Sequence, residues 1–508
     1  MATSDPPLLR AHRRQYVLGP ARWAPDDRWR EIRLGSVVLS LCPELRLTEV
    51  TDADGAKWVL LGLALQTEAN APSPADEIAR TGSRAVSELR HRWAGRWLLL
   101  SERAAYLDSH GQIGCLSSRD ADGRHWCSSS PVLLREICGN AWQPVSPTYQ
   151  IGAEFYPPPS CSLVGASRLL PSQTIDPSTG DVGDCDLVPP IPIGRDTGEL
   201  LDEIASLLRT AFENLPQQKG PLWVGLSGGG DSRVIFAAAV AAHRSVGLDV
   251  RPFTWLAGRT PLHDRVLPPK LAALAGLAHT PIRAGRIARS RLGLVREHAG
   301  PRLSVGDAVP LLRGVRLGLS GFCTGGQCFD ACKATKVGKF PPMTGNHVAV
   351  GDAIARVYRE RAGGFFAERY TEWVRHVART PIEGLRYECR WPIEQSGAGW
   401  QAPKEQLYDT QLLERFSATN CGLFTSLTMA LPKEMGRSRS YEPELVARLA
   451  PELNSLPRNP SDAELVGPVR ASAIRLRNAS ERARQVRLRA GRLGRIARIK
   501  LDDLLGGR

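Results

Sequence analysis

The stretch from Leu222 to Val240 constrains the fold of this chain more than any other. It contains a short apolar run, a glycine-rich turn and a second apolar run, which predicts a strand followed by a helix that begins near Ser232. Such a turn forms an anion site, because glycines allow a close approach to the backbone and the first N–H groups of a helix have no partner within it. Phosphate is the natural ligand of this site.

The turn itself combines hydroxyl groups, glycines and one carboxylate. Asp231 would repel a phosphate unless a divalent cation lay between them, so the sequence predicts a Mg²⁺ ligand at this position. The turn lacks the lysine of the G-x-x-x-x-G-K-[ST] loop and is therefore not of the Walker type. A turn without any ligand is the alternative. The predicted phosphate-binding residues are Ser227, Gly228, Gly229, Gly230, Asp231 and Ser232.

The same hexapeptide resembles the SGG-x-DS loop of the ATP pyrophosphatases, and within them that of the asparagine synthetase-like family. In that family the loop grips the pyrophosphate of ATP while a substrate carboxylate attacks the α-phosphate. The resemblance implies ATP and Mg²⁺ as cofactors. It also implies an AMP-forming ligase in which an amine attacks the acyl-adenylate.

The whole chain has the composition of a soluble globular protein, and its 508 residues indicate two to four domains. No apolar run approaches the ~20 residues that cross a bilayer, and no signal peptide is evident, so we expect a cytoplasmic protein. The net charge of +14 is concentrated between Arg470 and Lys500. We predict three parts, which are residues 1–190, residues 195–465 and a basic helical tail at 466–508, with a proline-rich linker after the first.

The first part contains short apolar segments separated by turns of glycine and aspartate, which predicts an antiparallel sheet. One long helix is predicted over Ala75–Trp93. The part is therefore expected to be α+β. The predicted strands are Ser36–Leu41, Trp58–Leu65, Arg96–Leu100, Ala105–Asp108 and Trp126–Ser128.

Three short motifs of this part resemble the glutaminase-type (Ntn) domain that precedes the ATP site in asparagine synthetases. They are Gly95-Arg96-Trp97, Asp108-Ser109-His110-Gly111 and Ser128-Ser129-Ser130-Pro131. A working glutaminase of that family needs an N-terminal cysteine. Here Ala2 follows Met1 and the first cysteine is Cys42. The resemblance implies a sandwich that lacks its nucleophile, and an unrelated β-sheet unit is the alternative.

The second part alternates strands and helices, which predicts a doubly wound parallel sheet that binds a nucleotide outside the carboxyl ends of its strands. Asp196-x-x-Glu199 resembles a capping box, with Asp in place of Ser or Thr, and predicts a helix start after the linker. Asp249–Leu256 and a segment from Thr280 are expected as strands, and Pro268–Leu277 as a helix with its prolines in the first turn. The predicted fold class is thus α/β, with a degenerate glutaminase-like sandwich followed by an ATP-pyrophosphatase domain.

The family resemblance extends to residues after this loop. Thr254 would lie beside the adenine, and His263-Asp264 matches the segment after the adenine-facing strand. Gly325 and Gly326 follow the order of the S-G-x-G-x-D-E loop, but the Asp-Glu pair is missing, and Asp330 is the candidate substitute as a metal ligand. The nearby cysteines fit no standard metal spacing, so we expect structural roles for Cys323, Cys328 and Cys332.

Three lysines follow this segment. They are candidate pyrophosphate ligands, and a solvated surface is the alternative for most of them. The lysines are Lys333, Lys336 and Lys339.

The candidate catalytic groups come from the same resemblance. Glu414 or Glu388 would deprotonate the amine, with Tyr387 or Tyr408 as the partner, as in the β-lactam synthetase branch. A helix surface with salt bridges is the alternative. Arg458 is the candidate substitute for the late lysine of the synthetases.

The predicted function is ATP-dependent amide formation, with an intramolecular macrolactam of the lasso-peptide type favoured. The substrate would be a peptide or a small carboxylic acid, and a leader-peptide-binding or protease protein is a candidate partner. The alternatives are an ammonia-dependent amidotransferase, a non-catalytic scaffold and an RNA-modifying enzyme. Nucleic-acid binding is not expected, because the basic tail carries no aromatic residues.

Overall fold

The computed structural model describes residues 10–143, 156–217, 220–256, 260–283, 289–300, 319–330, 333 and 338–467. Residues 468–508 of the predicted basic tail lie outside these residues, as do Ala2, Cys332 and Lys336. In the ranges that are described, no helix is long and apolar enough to cross a membrane.

Within the described residues, the first part of the chain contains the strands β1 (Tyr16–Gly19), β2 (Arg30–Leu34), β3 (Val37–Leu41), β4 (Leu47–Thr51), β5 (Lys57–Gln66), β6 (Trp93–Leu100), β7 (Ala105–Leu107), β8 (Leu116–Arg119), β9 (His125–Ser128), β10 (Ser167–Arg168), β11 (Gln173–Ile175) and β12 (Val182–Asp184). They form two antiparallel sheets of six strands each, in the orders β10-β8-β9-β1-β3-β2 and β12-β11-β7-β6-β5-β4.

The two sheets pack face to face around a common apolar core that includes Leu39, Leu61 and Leu98. The outer faces are covered by helices α1 (Pro74–Arg80), α2 (Val86–Leu89) and α3 (Pro131–Cys138). The arrangement is therefore a sandwich with helices on both outer faces. The predicted antiparallel sheet is confirmed.

The predicted long helix over Ala75–Trp93 is wrong. The chain leaves helix α1 at Thr81, whose backbone is extended (φ −115°, ψ 140°). The backbone N–H of Ser83 donates to Asp54 Oδ2 at 2.8 Å, so the preceding β-turn draws this segment out of a helical path. Trp93 begins β6. Local hydrogen bonds from an aspartate thus compete with helix propagation.

In the ranges that the structure describes, the second part of the chain contains the strands β13 (Leu222–Gly225), β14 (Val250–Leu256), β15 (Thr280–Arg283), β16 (Phe322–Thr324) and β17 (Glu414–Arg415). These five strands form a parallel sheet in the order β15-β14-β13-β16-β17. The predicted combination of antiparallel sheets and a parallel sheet is thereby confirmed.

Alternate residues of β13 face the two sides of this sheet. Leu222 and Val224 pack in one large core with helices α4 and α5, whereas Trp223 packs in a second core with Phe253 and Ile282. The period of two follows from strand geometry. The helices of this part are α4 (Thr197–Glu213), α5 (Gly230–Val246), α6 (Leu262–Leu274), α7 (Arg289–Ala299), α8 (His347–Val357), α9 (Phe365–Arg379), α10 (Tyr387–Trp391), α11 (Ala402–Tyr408), α12 (Gly422–Ala430), α13 (Lys433–Ser438), α14 (Tyr441–Leu449) and α15 (Asp462–Val466).

Two local predictions for these helices have different outcomes. Asp196 caps α4 by accepting the N–H of Glu199 at 3.0 Å, as the sequence predicts. The prolines of α6 are not in its first turn, because this helix begins at Leu262 and contains Pro268 and Pro269 in its interior. A π-helix from Pro392 to Gln401 joins α10 to α11.

A buried ion pair joins the sandwich to the second part of the chain. Both guanidinium NH₂ groups of Arg96 in β6 donate to the carboxylate of Asp409, each at 2.7 Å. The side chains are 7% and 1% exposed. Nearby, the guanidinium of Arg14 donates to three consecutive carbonyl groups at residues 411–413. The sandwich and the second part of the chain are therefore held together by buried contacts, whose electrostatic attraction is not screened by water.

A second buried network links β11 and its preceding turn to the helices. The Ser172 hydroxyl lies 2.8 Å from His376 Nε2 and also donates to the Glu394 carboxylate. Arg390 and the Trp373 indole N–H donate to the same carboxylate at 2.8 and 2.6 Å. Burial alone would raise the pKa of Glu394, but Arg390, His376 and the Ser172 hydroxyl together outweigh it and lower that pKa. The carboxylate is therefore ionised and paired.

We predict that Asp409→Asn lowers the free energy of unfolding by about 3–5 kcal/mol, because it leaves the buried Arg96 guanidinium without a counter-charge. Urea unfolding followed by circular dichroism measures the change. The matched control is Glu68→Gln, which removes an exposed pair with Arg92 and should cost under about 1 kcal/mol. Equal effects of the two substitutions would contradict the prediction.

We also predict that the protein loses stability as the pH falls from 7 to 5. Burial lowers the pKa of His91 to about 2, of His110 to about 4 and of His298 to about 3. Each histidine is neutral when folded and takes up a proton on unfolding below its unfolded pKa of about 6.5. Its stabilising contribution is therefore present above pH 6.5 and is lost, by up to about 1.4 kcal/mol per pH unit, as the pH falls below that value.

His298→Gln should reduce this slope, since glutamine does not titrate. Urea unfolding at several pH values between 5 and 7 provides the measurement. An unchanged slope in the variant would contradict the assignment of His298 as a buried neutral group.

Candidate functional site

The predicted phosphate loop connects the end of β13 to the start of α5. Its two serines close the loop, since Ser227 Oγ lies 2.7 Å from Ser232 Oγ and the Ser227 N–H donates to the same Ser232 oxygen at 3.1 Å. Gly229 is the N-cap of α5 with an extended backbone. The helix thus begins at Gly230, two residues before the predicted start, and its first N–H groups face the loop.

Three glycines are required here by close contacts. A Cβ at Gly228 would lie 2.8 Å from the ring of His263, and one at Gly230 would overlap the carboxylate of Glu442. A Cβ at Gly326, which follows β16, would lie 2.8 Å from Asp231 Cβ and from the Ser232 backbone nitrogen. The glycines therefore let three separate segments pack against the loop. A Cβ at Gly325 would have only the Gln327 side chain within 4 Å, at 3.9 Å.

Both oxygens of the Asp231 carboxylate are held by cationic side chains. Lys333 Nζ lies 2.5 Å from Oδ2, and Arg439 donates to Oδ1 at 3.0 Å. Arg439 has a left-handed backbone (φ 60°), which is uncommon for a residue with a side chain. The sequence analysis predicts that a metal ion neutralises the Asp231 carboxylate. In the structure, two cationic side chains of the protein also neutralise it.

Glu442 in α14 forms the next layer of charge. It is buried and accepts from Arg439 at 2.6 Å and from Arg458 at 3.0 Å. Burial and the neighbouring Asp231 carboxylate raise the pKa of Glu442, against the opposing effect of Arg439. The predicted residue Arg458 therefore lies beside the loop and contacts it through Glu442.

A cleft with a volume of about 430 Å³ opens over the loop. This volume lies within the range of about 300–1,000 Å³ that is typical of small-molecule sites. One wall of the cleft is lined by Phe253, Thr254 and Trp255 at the end of β14. Thr254 is the residue that the family resemblance would place beside the adenine. The Thr254 hydroxyl donates to the Leu226 carbonyl at 2.7 Å, which ties β14 to the loop.

Asp264 connects helix α6 to the loop. Its carboxylate accepts the Gly228 N–H at 2.7 Å and lines the cleft. It is not the N-cap of α6, because that position is Pro261. Asp264, which matches the family segment that follows the adenine-facing strand, thus contacts the phosphate loop directly.

A buried arginine of α5 positions the last segment of the site. Arg233 donates to the carbonyls of Leu456 and Pro457 at 2.6 and 2.8 Å. This contact brings Asn459 to the loop, where its N–H donates to the Gly228 carbonyl at 3.0 Å and its side chain lines the cleft. Arg458 reaches Glu442 for the same reason.

The other predicted catalytic residues lie elsewhere. Glu414 in β17 pairs in register with Phe322, at the end of the sheet opposite the loop, and binds Arg46 at 2.8 Å. Glu388 is buried and binds Arg386, and the Tyr387 hydroxyl donates to the Pro341 carbonyl. None of the three lines the cleft. The structure therefore does not bring them to the loop.

Asp330, the second predicted metal ligand, also faces Lys333. Its Oδ1 lies 3.6 Å from Lys333 Nζ, so Asp231 and Asp330 share one cation between them. Within the described residues, no group of three or more histidine, cysteine or acidic side chains is arranged to hold a metal ion. Two carboxylates that converge on a cation fit Mg²⁺, which usually takes one or two carboxylates and completes its coordination with phosphate and water.

The described cysteines near the site are buried and bonded to polar groups. Arg415 donates to Cys323 Sγ at 3.0 Å, and the Gln112 amide donates to Cys328 Sγ at 3.1 Å. In the sandwich, burial raises the pKa of Cys42 to about 11, and its thiol donates to Glu44 at 2.9 Å. Cys42 is therefore a poor nucleophile.

Sequence reasoning missed three residues of the site, which are Arg439, Glu442 and Asn459. They come from segments more than 200 residues after the loop and belong to no motif that the sequence analysis used. Arg439 reaches Asp231 because of its left-handed backbone, and a single sequence gives no signal for that conformation. Lys333 was one of three candidate lysines, and the structure places it at the loop.

Comparison with known proteins adds little to this geometry. No family model and no curated protein matches the chain. Among solved structures, the glutamine-dependent NAD⁺ synthetase from Acinetobacter baumannii in complex with adenosine diphosphate is similar in part. The match has 16% identity and a TM-score of 0.20, and it covers 32% of this chain and 31% of that chain. At that score it carries no argument about function.

We predict that Gly326→Ala weakens nucleotide binding by about tenfold or more, because the new Cβ pushes against Asp231 and Ser232. Overpacking of this kind costs typically about 1–3 kcal/mol, and about 1.4 kcal/mol is tenfold in affinity. Isothermal titration calorimetry with ATP is the measurement. Gly325→Ala is the matched control and should bind as the parent protein does. A loss of equal size in both variants would contradict the steric argument.

Proposed function

We propose that this protein is an ATP-dependent, AMP-forming ligase that joins a carboxylate to an amine. The observation that carries the proposal is the glycine loop at the N-terminus of α5, which lies at the carboxyl end of the central parallel strand. A cleft of suitable volume for a nucleotide opens over this loop, and the Asp231 carboxylate, which lines it, is the group that we propose as a ligand of a phosphate-bound metal. Parallel sheets bind ligands at this position.

The reaction proceeds in two displacements. An oxygen of the substrate carboxylate attacks the α-phosphorus of ATP, and pyrophosphate leaves with the electrons of the broken P–O bond. The nitrogen of the amine then attacks the acyl carbon, loses a proton and displaces AMP. The protein supplies orientation and an electrostatic environment for the charges that develop.

Residues that line the cleft and residues that lie beside its loop, such as Asp330 and Arg458, each have a role in this reaction. Phe253, Thr254 and Trp255 bind the base, and the loop N–H groups with Arg439 bind the phosphates. Asp231 and Asp330 would hold Mg²⁺, which supplies charge neutralisation on the phosphates when bound. Arg458 is proposed to stabilise the leaving pyrophosphate in place of the lysine of related synthetases.

The charge of the site supports a metal requirement. Among the described residues, the carboxylates and the cationic side chains around the loop are equal in number, so the cleft has no surplus of positive charge to compensate ATP. An additional cation is needed for binding. The carboxylates are Asp231, Asp264, Asp330 and Glu442, and the cationic groups are Arg233, Lys333, Arg439 and Arg458.

The narrower proposal is that amine and carboxylate belong to one peptide, so that the product is a macrolactam of the lasso-peptide type. It rests on the resemblance to synthetases that carry a nucleophile-less first domain. A cyclised peptide is lighter than its precursor by one water, which mass spectrometry detects. Product formation only after addition of ammonium salts would instead favour the amidotransferase alternative.

We predict that carboxylate-dependent exchange of labelled pyrophosphate into ATP occurs in the parent protein and is lost in Asp231→Ala. Asp231 is the carboxylate closest to the phosphate position, so its removal abolishes metal and nucleotide positioning. Asp249→Ala is the matched control, since Asp249 is exposed and pairs with Arg251. It should retain full exchange. Exchange that survives in Asp231→Ala would contradict the assignment of the loop.

One observation favours a second candidate, a non-catalytic scaffold. Both oxygens of Asp231 are already paired with protein cations, so the loop is stable without a ligand. Calorimetry separates the two functions. A parent protein that binds no ATP in the presence of Mg²⁺ and shows no exchange with any acid or peptide would be a scaffold.

A further inference from the structure

Lys333 is placed where the proposed function requires a metal ion. Its ammonium group lies 2.5 Å from Asp231 Oδ2 and 3.6 Å from Asp330 Oδ1, and the side chain is 15% exposed. The two carboxylates therefore hold a cation in the absence of any ligand. This cation is the ammonium group of Lys333, a side chain of the protein rather than a bound ion.

The remaining oxygen of Asp231 offers no second position for a metal. Arg439 donates to it at 3.0 Å and is fixed in turn by Glu442 at 2.6 Å. A divalent ion that approached Asp231 would meet two positive charges within a few ångströms, and the repulsion between such charges is several kcal/mol at the effective dielectric of a protein surface. Metal binding thus requires that one cation moves.

Lys333 is better suited to move than Arg439. A lysine carries a point charge on a flexible stem of four carbons, whereas a guanidinium held by two carboxylates is fixed in orientation. Arg439 also depends on a left-handed backbone for its position. Phosphate oxygens are strong acceptors for an ammonium group, so a bound nucleotide offers Lys333 a new partner.

We propose that Lys333 is a tethered cation that occupies the metal position between Asp231 and Asp330 in the empty cleft and transfers to the phosphates when metal and nucleotide enter together. The proposal rests on the proposed function, because it assigns a role within the same ATP site. Its consequence is that the metal binds only with the nucleotide. The Lys333 ammonium group then compensates the negative charge of the phosphates. In the synthetases that this chain resembles, a metal ion held by the Asp-Glu pair, which is missing here, has that role.

The experiment measures Mn²⁺ binding without nucleotide, by electron paramagnetic resonance of the free ion. The parent protein should bind Mn²⁺ weakly. Lys333→Met removes the competing charge and should bind it at least about tenfold more tightly, since the two carboxylates are then uncompensated. In the same variant, affinity for ATP in the presence of EDTA should fall by about tenfold, because one phosphate contact is lost.

Two control variants keep the result interpretable. Lys57→Met removes an exposed lysine of β5 that pairs with Glu49, far from the loop in the chain, and should behave as the parent protein does. Lys333→Arg retains the positive charge and should still exclude Mn²⁺. Circular dichroism of each variant verifies that it is folded.

The outcomes separate the inference from the function on which it rests. Unchanged Mn²⁺ affinity in Lys333→Met, with ATP binding intact in the parent protein, would overturn the role of Lys333 alone. Failure of the parent protein to bind ATP with or without Mn²⁺ would overturn the proposed function together with this role. Tight Mn²⁺ binding by Lys333→Met but not by Lys333→Arg would support the tethered cation.

Discussion

The site depends on the position of β13 between β14 and β16. The chain leaves β13 toward β14 on one side and later returns to β16 on the other, so the loops after β13 and β16 diverge and leave a crevice between them. Ser227–Ser232 and Gly326 meet in that crevice, at a distance that only glycine permits. Asp330 and Lys333 lie in the same segment after β16, and Lys333 contacts both Asp330 and Asp231 for this reason.

Charge compensation is the second feature that unites the site. Asp231 and Glu442 lie at the N-terminus of α5, where the helix dipole favours negative charge, and the cations Lys333, Arg439 and Arg458 surround them. Without a ligand these groups satisfy one another. Under the proposed function, a triphosphate would compete with the carboxylates for the same cations and N–H groups. The proposed binding would therefore require rearrangement of ion pairs that already exist.

The sandwich is attached to the parallel sheet by buried polar contacts rather than by an apolar surface alone. Arg96 and Asp409 are fully paired, and Ser172 joins the network of Glu394 and His376. Separating such partners costs free energy, because each partner then remains in the interior as an unpaired charge or hydroxyl group. Arg46 also uses Glu414 for this attachment, which gives that residue a structural role at the end of the sheet opposite the cleft.

The sequence by itself determined the features that are local. Strand β13, the glycine turn, the start of α5 and the capping of α4 by Asp196 follow from residues within a few positions of one another. The tertiary structure decided the partners of Asp231, because Arg439 and Glu442 reach it through packing of α14 against α5 and have no motif of their own. It likewise separated Glu414 from the loop, since strand register fixes which end of a sheet a residue occupies, and register is set by pairing between segments distant in the chain.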